Sequence, residues 1–96
     1  MVTIDVQVNG GIAPLPIKVF IDNLDNQDDI RFTRTMSFSE HYALASGRYM
    51  LTVSGMNPDD GHTTIKLGGD FSKDPLPQTE QKAADRLYSF LFYFEI

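Results

Sequence analysis

The stretch SGRYMLTVSGMNPDDG, Ser46 to Gly61, sets the terms for the rest of the chain. Tyr49, Leu51 and Val53 alternate with Arg48, Met50, Thr52 and Ser54. A period of two places one set on a buried sheet face and the other on the outer face. Gly47 and Gly55 bracket this strand, and the Asn57–Gly61 run consists of turn formers. The alternation resumes in HTTIKL, His62 to Leu67, with Thr63, Ile65 and Leu67 in phase. Two such runs around a turn predict an antiparallel hairpin with a long loop.

The same pattern extends in both directions. Val2, Ile4, Val6 and Val8 alternate with polar residues, and Asn9-Gly10-Gly11 supplies a turn. Leu15, Ile17, Val19 and Ile21 form a second inward set, with Lys18 and Asp22 outward. Pro14 and Pro16 put the start of that strand at an edge or before regular pairing. Ile30 and Phe32 open a third strand in which Arg34 falls on the apolar phase, which a bulge or a sheet edge accommodates. Tyr42 and Leu44 suggest a short strand, with Phe38 covering the core from a loop. RLYSFLFYFEI (Arg86–Ile96) carries Phe90, Phe92 and Phe94 on one face and Leu91 and Tyr93 on the other. Apolar residues on both faces indicate a central strand or one that meets a partner. The connection Gly68–Asp85 holds no clear strand, and Thr79–Asp85 has the composition of one or two helical turns. The expectation is a single domain, 1–96: an all-β, antiparallel β-sandwich of about seven strands, prealbumin-like or immunoglobulin-like, with room for one short helix before the last strand.

Composition narrows the function classes. With 96 residues and no Cys, there is no disulfide framework and no thiolate chemistry. A net charge of −5 with scattered basic residues does not suit a phosphate-backbone grip, so no nucleic acid is expected as a partner. No window approaches the roughly 18 apolar residues of a membrane span, so no membrane insertion is expected. The N-terminus MVTIDVQVNG lacks the pattern of an export signal. A native start at Met1 implies the cytoplasm, and a removed leader implies a periplasmic or extracellular location.

Two stretches carry a family resemblance. TIDVQVNGGIAPLPIKVFI (Thr3–Ile21) is similar to the opening strand pair of the prealbumin-like (transthyretin-like) sandwiches, and ALASGRYMLTVSG (Ala43–Gly55) resembles their Gly-x-Tyr-x-Leu-x-Val strand. That group includes the carboxypeptidase regulatory-like domains and the collagen-adhesin B-type repeats. The resemblance implies the sandwich fold and an accessory or assembly role. Three details of particular members differ here. TRTMSFSEHYAL (Thr33–Leu44) lacks the glycine found in that place in regulatory-like domains. Lys18 points outward, with no Asn near the last strand to form an isopeptide bond. The ending YFEI differs from the Tyr-Arg-Gly-Ser tail of the hydroxyisourate hydrolases of this fold.

Several residue groups are weighed as sites. Asp22, Asp25, Asp28 and Asp29 fall within eight residues and could offer oxygen ligands to calcium, although a solvated Asx-rich loop explains them too. In an up-and-down meander, that loop shares an end with Asp70, Asp74 and Glu80. His41 and His62 then fall at the other end, near Asp59 and Asp60, a thin basis for zinc without fixed ligand spacing. Ser37 or Ser39 with His41 makes no nucleophile elbow, and LPQTE (Leu76–Glu80) lacks the glycine of a sortase signal. No enzyme activity and no cofactor are expected. Phe20 and Tyr93, outward on their strands, are the aromatic candidates. Aromatics on a sheet face suit a protein partner or carbohydrate. The primary expectation is a non-catalytic protein-interaction module; the alternative is a carbohydrate-binding accessory domain.

Overall fold

A computed structural model describes residues 1–96. The chain forms nine strands and no helix: β1 (Val2–Asn9), β2 (Ile17–Asn23), β3 (Ile30–Arg34), β4 (Phe38–Tyr42), β5 (Arg48–Met56), β6 (His62–Gly69), β7 (Lys73–Leu76), β8 (Glu80–Ala83) and β9 (Leu87–Glu95). They build two antiparallel sheets, β4-β1-β6-β8 and β3-β2-β5-β9-β7, stacked as a β-sandwich. With no helix at all, none is long and apolar enough to cross a membrane.

Period-two alternation accounts for the core. Val2, Ile4 and Val6 of the smaller sheet, with Ile65 and Leu67, meet Ile17, Val19, Ile21, Tyr49, Leu51, Val53, Phe92 and Phe94 of the larger. Registers place Tyr49, Leu51 and Val53 directly opposite Phe94, Phe92 and Phe90. The Tyr49 and Phe94 rings stack at 5.3 Å between centroids, and Phe71 meets Phe94 edge-on. The Tyr49 hydroxyl donates to the carbonyl of Ala45, 2.6 Å away and four residues upstream. This is a tyrosine corner of the kind that fixes strand entry in sandwich folds.

Several expectations are corrected. β5 and β6 do not pair; the chain crosses from one sheet to the other between them, and β5 pairs with β2 and β9 instead. The alternation identifies each strand but not its neighbour. The region expected to hold a helix contains β7 and β8, because Glu80–Ala83 pairs with Lys66–Thr63 at the edge of the smaller sheet. Leu15 does not face inward: it precedes the strand and is 52% exposed. Phe38 lies in β4 rather than a loop, and Leu44 lies beyond it.

Arg34 stands at a sheet edge, one of the two alternatives its phase allowed. β3 is the outermost strand of its sheet, and Arg34 faces inward at the open side of the sandwich. There it lies over the Phe32 ring at 4.4 Å and forks onto Glu40 of β4. Phe32, Phe38 and Tyr42 form the aromatic seal beneath this pair.

Candidate functional site

The acidic loop leads from β2 to β3 and is braced from within. Asn23 and Asn26 side chains accept from the backbone N–H groups of Asp25 and Asp28, two Asx turns in succession. The Asp25 carboxylate accepts from the backbone N–H, Nε and Nη2 of Arg48. The side-chain bonds from Arg48, then the backbone bond, hold its pKa below the ordinary 3.8. Asp22 pairs with Arg31 at 3.3 Å, and Asp29 accepts from the Asn23 N–H. Asp28 lines a shallow space of about 360 Å³ with Asn23, Leu44 and Tyr49. No group of three or more His, Asp or Glu side chains comes together in a way that could hold a metal ion. Three of the four carboxylates are therefore occupied in tying the loop to β2, β3 and β5.

The histidines are not neighbours. His41 sits opposite Thr3, whose hydroxyl lies 2.8 Å from the His41 Nδ1, whereas His62 sits opposite Asn9 at the far end of β1. The expectation that both share an end with Asp59 and Asp60 fails because β4 is short and pairs with the first half of β1. The residues after Gly47 and Gly69 lie at the acidic-loop end, where Leu24 N–H donates to the Arg48 carbonyl and Phe71 packs on Phe94. Asp70 thus shares that end, while Glu80 sits mid-sheet opposite Lys66.

The two outer faces differ in chemistry. On the smaller sheet, cross-strand rows read Thr3 with His41, Ser39 with Asp5, Lys66 and Glu80, and Gln7 with Thr64 and Lys82. That face is polar throughout. On the larger sheet, one row reads Arg31–Phe20–Thr52–Leu91 and the next Asp22–Met50–Tyr93–Leu76. Leu91 is 54% and Leu76 60% exposed, and Phe20, Met50 and Tyr93 are half-buried. Charges surround this apolar band: Arg31 and Asp22 on one side, Arg48, Lys73 and Glu95 at one end. Phe20 and Tyr93 therefore belong to one face. They sit on strands separated by β5, about 10 Å apart, and the Arg31 guanidinium lies 4.9 Å from the Phe20 ring centroid.

Met50, Leu91 and Leu76 are members of this face that the candidate residues did not include. Leu91 and Met50 were visible as apolar residues in an outward phase. Leu76 was not, because nothing in KDPL signals a strand.

At the other end of the sandwich the loops are tied by a buried amide. Asn57 is almost fully buried; its N–H donates to the Arg86 carbonyl and its Nδ2 to those of Ala83 and Asp85. Its Oδ1 accepts from the Thr63 hydroxyl at 2.6 Å. Beside this knot a groove of about 430 Å³ opens between Leu15 and Pro16 on one wall and Leu87 and Tyr88 on the other. Gly55 and Ser54 form its floor. A Cβ on Gly55 would come within 2.7 Å of the Tyr88 hydroxyl, so glycine lets that ring lie close to β5. Burial holds the Tyr88 phenol above its ordinary pKa of 10.0.

Comparison with known proteins adds no identity: no family model, no curated protein and no solved structure matches the chain.

Proposed function

We propose that this domain is a non-catalytic interaction module that binds another protein through the outer face of its five-stranded sheet. The observation that carries this reading is the contrast between the two outer faces. An apolar centre with a charged rim is the anatomy of a protein interface, whereas the opposite face has the composition of a surface left in water. Aromatic and Met side chains at the centre, Phe20, Met50 and Tyr93, are of the types enriched at such contacts. The prealbumin-like character of the fold belongs to the same proposal. It is supported by the two motif-bearing stretches, which here build β1 with β2, and β5.

A photo-crosslinking residue at Thr52, in the middle of the apolar band, tests the reading in the cell that makes the protein. The expected result is one dominant protein adduct, absent when the crosslinker is at Thr64 on the polar face. Phe20→Ser combined with Tyr93→Ser should abolish the adduct while the melting transition persists. Equal adducts from both faces, or none from Thr52, would sink the proposal. Tight retention on a glycan array would favour carbohydrate instead.

A further inference from the structure

Gly47 and Ile96 exchange both backbone hydrogen bonds, and the Asn57 N–H donates to the Arg86 carbonyl. Bonded pairs alternate along an antiparallel ladder. The β5–β9 bonds therefore join Tyr49 to Phe94, Leu51 to Phe92, Val53 to Phe90 and Gly55 to Tyr88. The N–H and C=O groups of Leu87, Ser89, Leu91, Tyr93 and Glu95 point the other way, where the Ser72 N–H meets the Glu95 carbonyl. On that side β7 is in register with Glu95 and Tyr93 and stops at Leu76. Pro77 follows, without an N–H, and the chain steps to the smaller sheet, where Glu80–Ala83 pairs with β6. Leu91, Ser89 and Leu87 are left with no strand facing them. A side chain stands in at one point: Gln81 Nε2 donates to the Leu91 carbonyl over 3.5 Å, long for such a bond.

This open half-edge differs from the other sheet edges. On β3 the Thr33 carbonyl is covered by Arg34 Nη1, and β4 turns Glu40 onto Arg34. β7 has Pro75 and an irregular register, and β8 exposes Glu80 and Lys82. Charges, proline and irregular register are the usual devices that keep foreign strands away. Leu87–Leu91, with the sequence LYSFL, holds no charge and no proline, and its register with β5 is unbroken. Its outward Leu87 and Leu91 are 67% and 54% exposed. On the inward side Phe90 stays half-buried, although Phe92 and Phe94 of the same face are 0% and 1% exposed. A strand laid along this edge completes the ladder, covers both leucines and closes over Phe90.

We propose that the partner of the larger sheet's outer face donates an extended segment to this edge, antiparallel to β9 and continuing the line of β7. This rests on the reading of that face as a protein surface, with which the edge is continuous through Leu91 in the row Arg31–Phe20–Thr52–Leu91. A segment of five residues, at about 3.4 Å each, spans Leu87–Leu91. Its residues opposite Leu91, Ser89 and Leu87 make the backbone bonds and turn their side chains onto the outer face, apolar against the two leucines. The residues between them turn inward, and the one opposite Phe90 is apolar. The segment is uncharged, matching an edge that offers no countercharge.

The test is a selection of random displayed heptapeptides on the full chain, followed by fluorescence polarisation on the enriched sequences with both ends blocked. Expected are uncharged, apolar-rich peptides without internal proline. In the free chain the Ser89 amide should exchange rapidly with solvent while those of Tyr88 and Phe90 are protected, and bound peptide should protect Ser89 as well. N-methylation of the peptide at alternate residues should weaken binding about tenfold per site, and at the intervening residues should change it little. Ser89→Pro removes an N–H that β5 does not use, so the melting transition should persist while binding falls about tenfold. Ser89→Lys repeats this test with the backbone N–H kept. No enriched peptide, or N-methylation without alternation, overturns the proposal, and neither readout depends on a variant folding. Peptides lost with Phe20→Ser and Tyr93→Ser but indifferent to both Ser89 variants overturn the added strand and leave the sheet-face reading standing. That reading is judged by the Thr52 adduct, so the two failures are read separately. A dimer dispersed by Ser89→Lys, with no peptide binding, assigns the edge to a second copy and overturns the proposal too.

Discussion

Arg34 of β3 and Glu40 of β4 belong to different sheets and meet across the open side of the sandwich, joined by hydrogen bonds of 2.6 and 2.8 Å. The hydrogen bonds that Arg34 donates to the Glu40 carboxylate are the first cause of its raised pKa. Both side chains are about one-third exposed (36% and 34%), so the pair is partly screened. Arg34→Gln and Glu40→Gln should each lower the melting temperature, and the double variant should lose less than their sum. Additive losses in that cycle would show that the fork contributes nothing beyond its parts.

The strand Arg48–Met56 sets the depth of the core. Leu51 is fully buried between Ile21 and Phe92. Leu51→Ala should cost about 2–5 kcal/mol, as in other large-to-small core changes. Urea denaturation reads this directly, and a loss below about half a kilocalorie would be incompatible with a buried position.

Asn57 joins the turn after β5 to the link before β9. Replacing it with Ala leaves buried carbonyls and the Thr63 hydroxyl short of partners, at about 1–3 kcal/mol for each group left unpaired. Asn57→Asp should be worse at neutral pH, because a carboxylate would face the Ala83 and Asp85 carbonyl oxygens. Its folded-state pKa would rise, so the stability gap to the parent protein should narrow as pH falls through the carboxylate range. A gap independent of pH would contradict the assigned amide orientation.

Three tyrosines govern the alkaline limit. Burial is the first cause of the raised pKa of Tyr42, Tyr49 and Tyr88 above the ordinary 10.0. Such groups favour the folded state fully below the unfolded value and lose that contribution as pH rises through the folded values. Stability should therefore decline above about pH 10, with tyrosinate absorbance and unfolding rising together. Tyr49→Phe should lose the corner bond to Ala45, about 1 kcal/mol, and shed its share of the alkaline loss. An unchanged alkaline profile in this variant would exclude Tyr49 from that role.

The strands built on hydrophobic alternation were legible in the sequence: β1, β2, β5, β6 and β9 all follow it. β7 and β8 were not. Lys73–Leu76 contains a proline, and Glu80–Ala83 is made of good helix formers. Only the free edge of β6, and the burial of Ala83, turn that segment into a strand. Pairing was the other gap. Adjacent strands usually neighbour one another, but the core is completed by sending β6 across to β1. The outer face was half legible, since Phe20 and Tyr93 stand out individually while their shared surface exists only through the registers of β2, β5 and β9. The groove was foreshadowed by Pro14 and Pro16, which mark where β2 cannot yet pair.

β9 lies between β5 and β7 although it follows both in the chain. A ribosome making this protein therefore delivers an interior strand of the larger sheet after both of its neighbours. Until Leu87–Glu95 emerges, β5 keeps a full-length unpaired edge with Tyr49, Leu51 and Val53 uncovered on their β9 side. Such an edge is open to pairing with another nascent chain. The domain thus has a window of vulnerability during synthesis that closes only when the nine residues of β9 have been made, and its long-range pairings make that closure intrinsically slow.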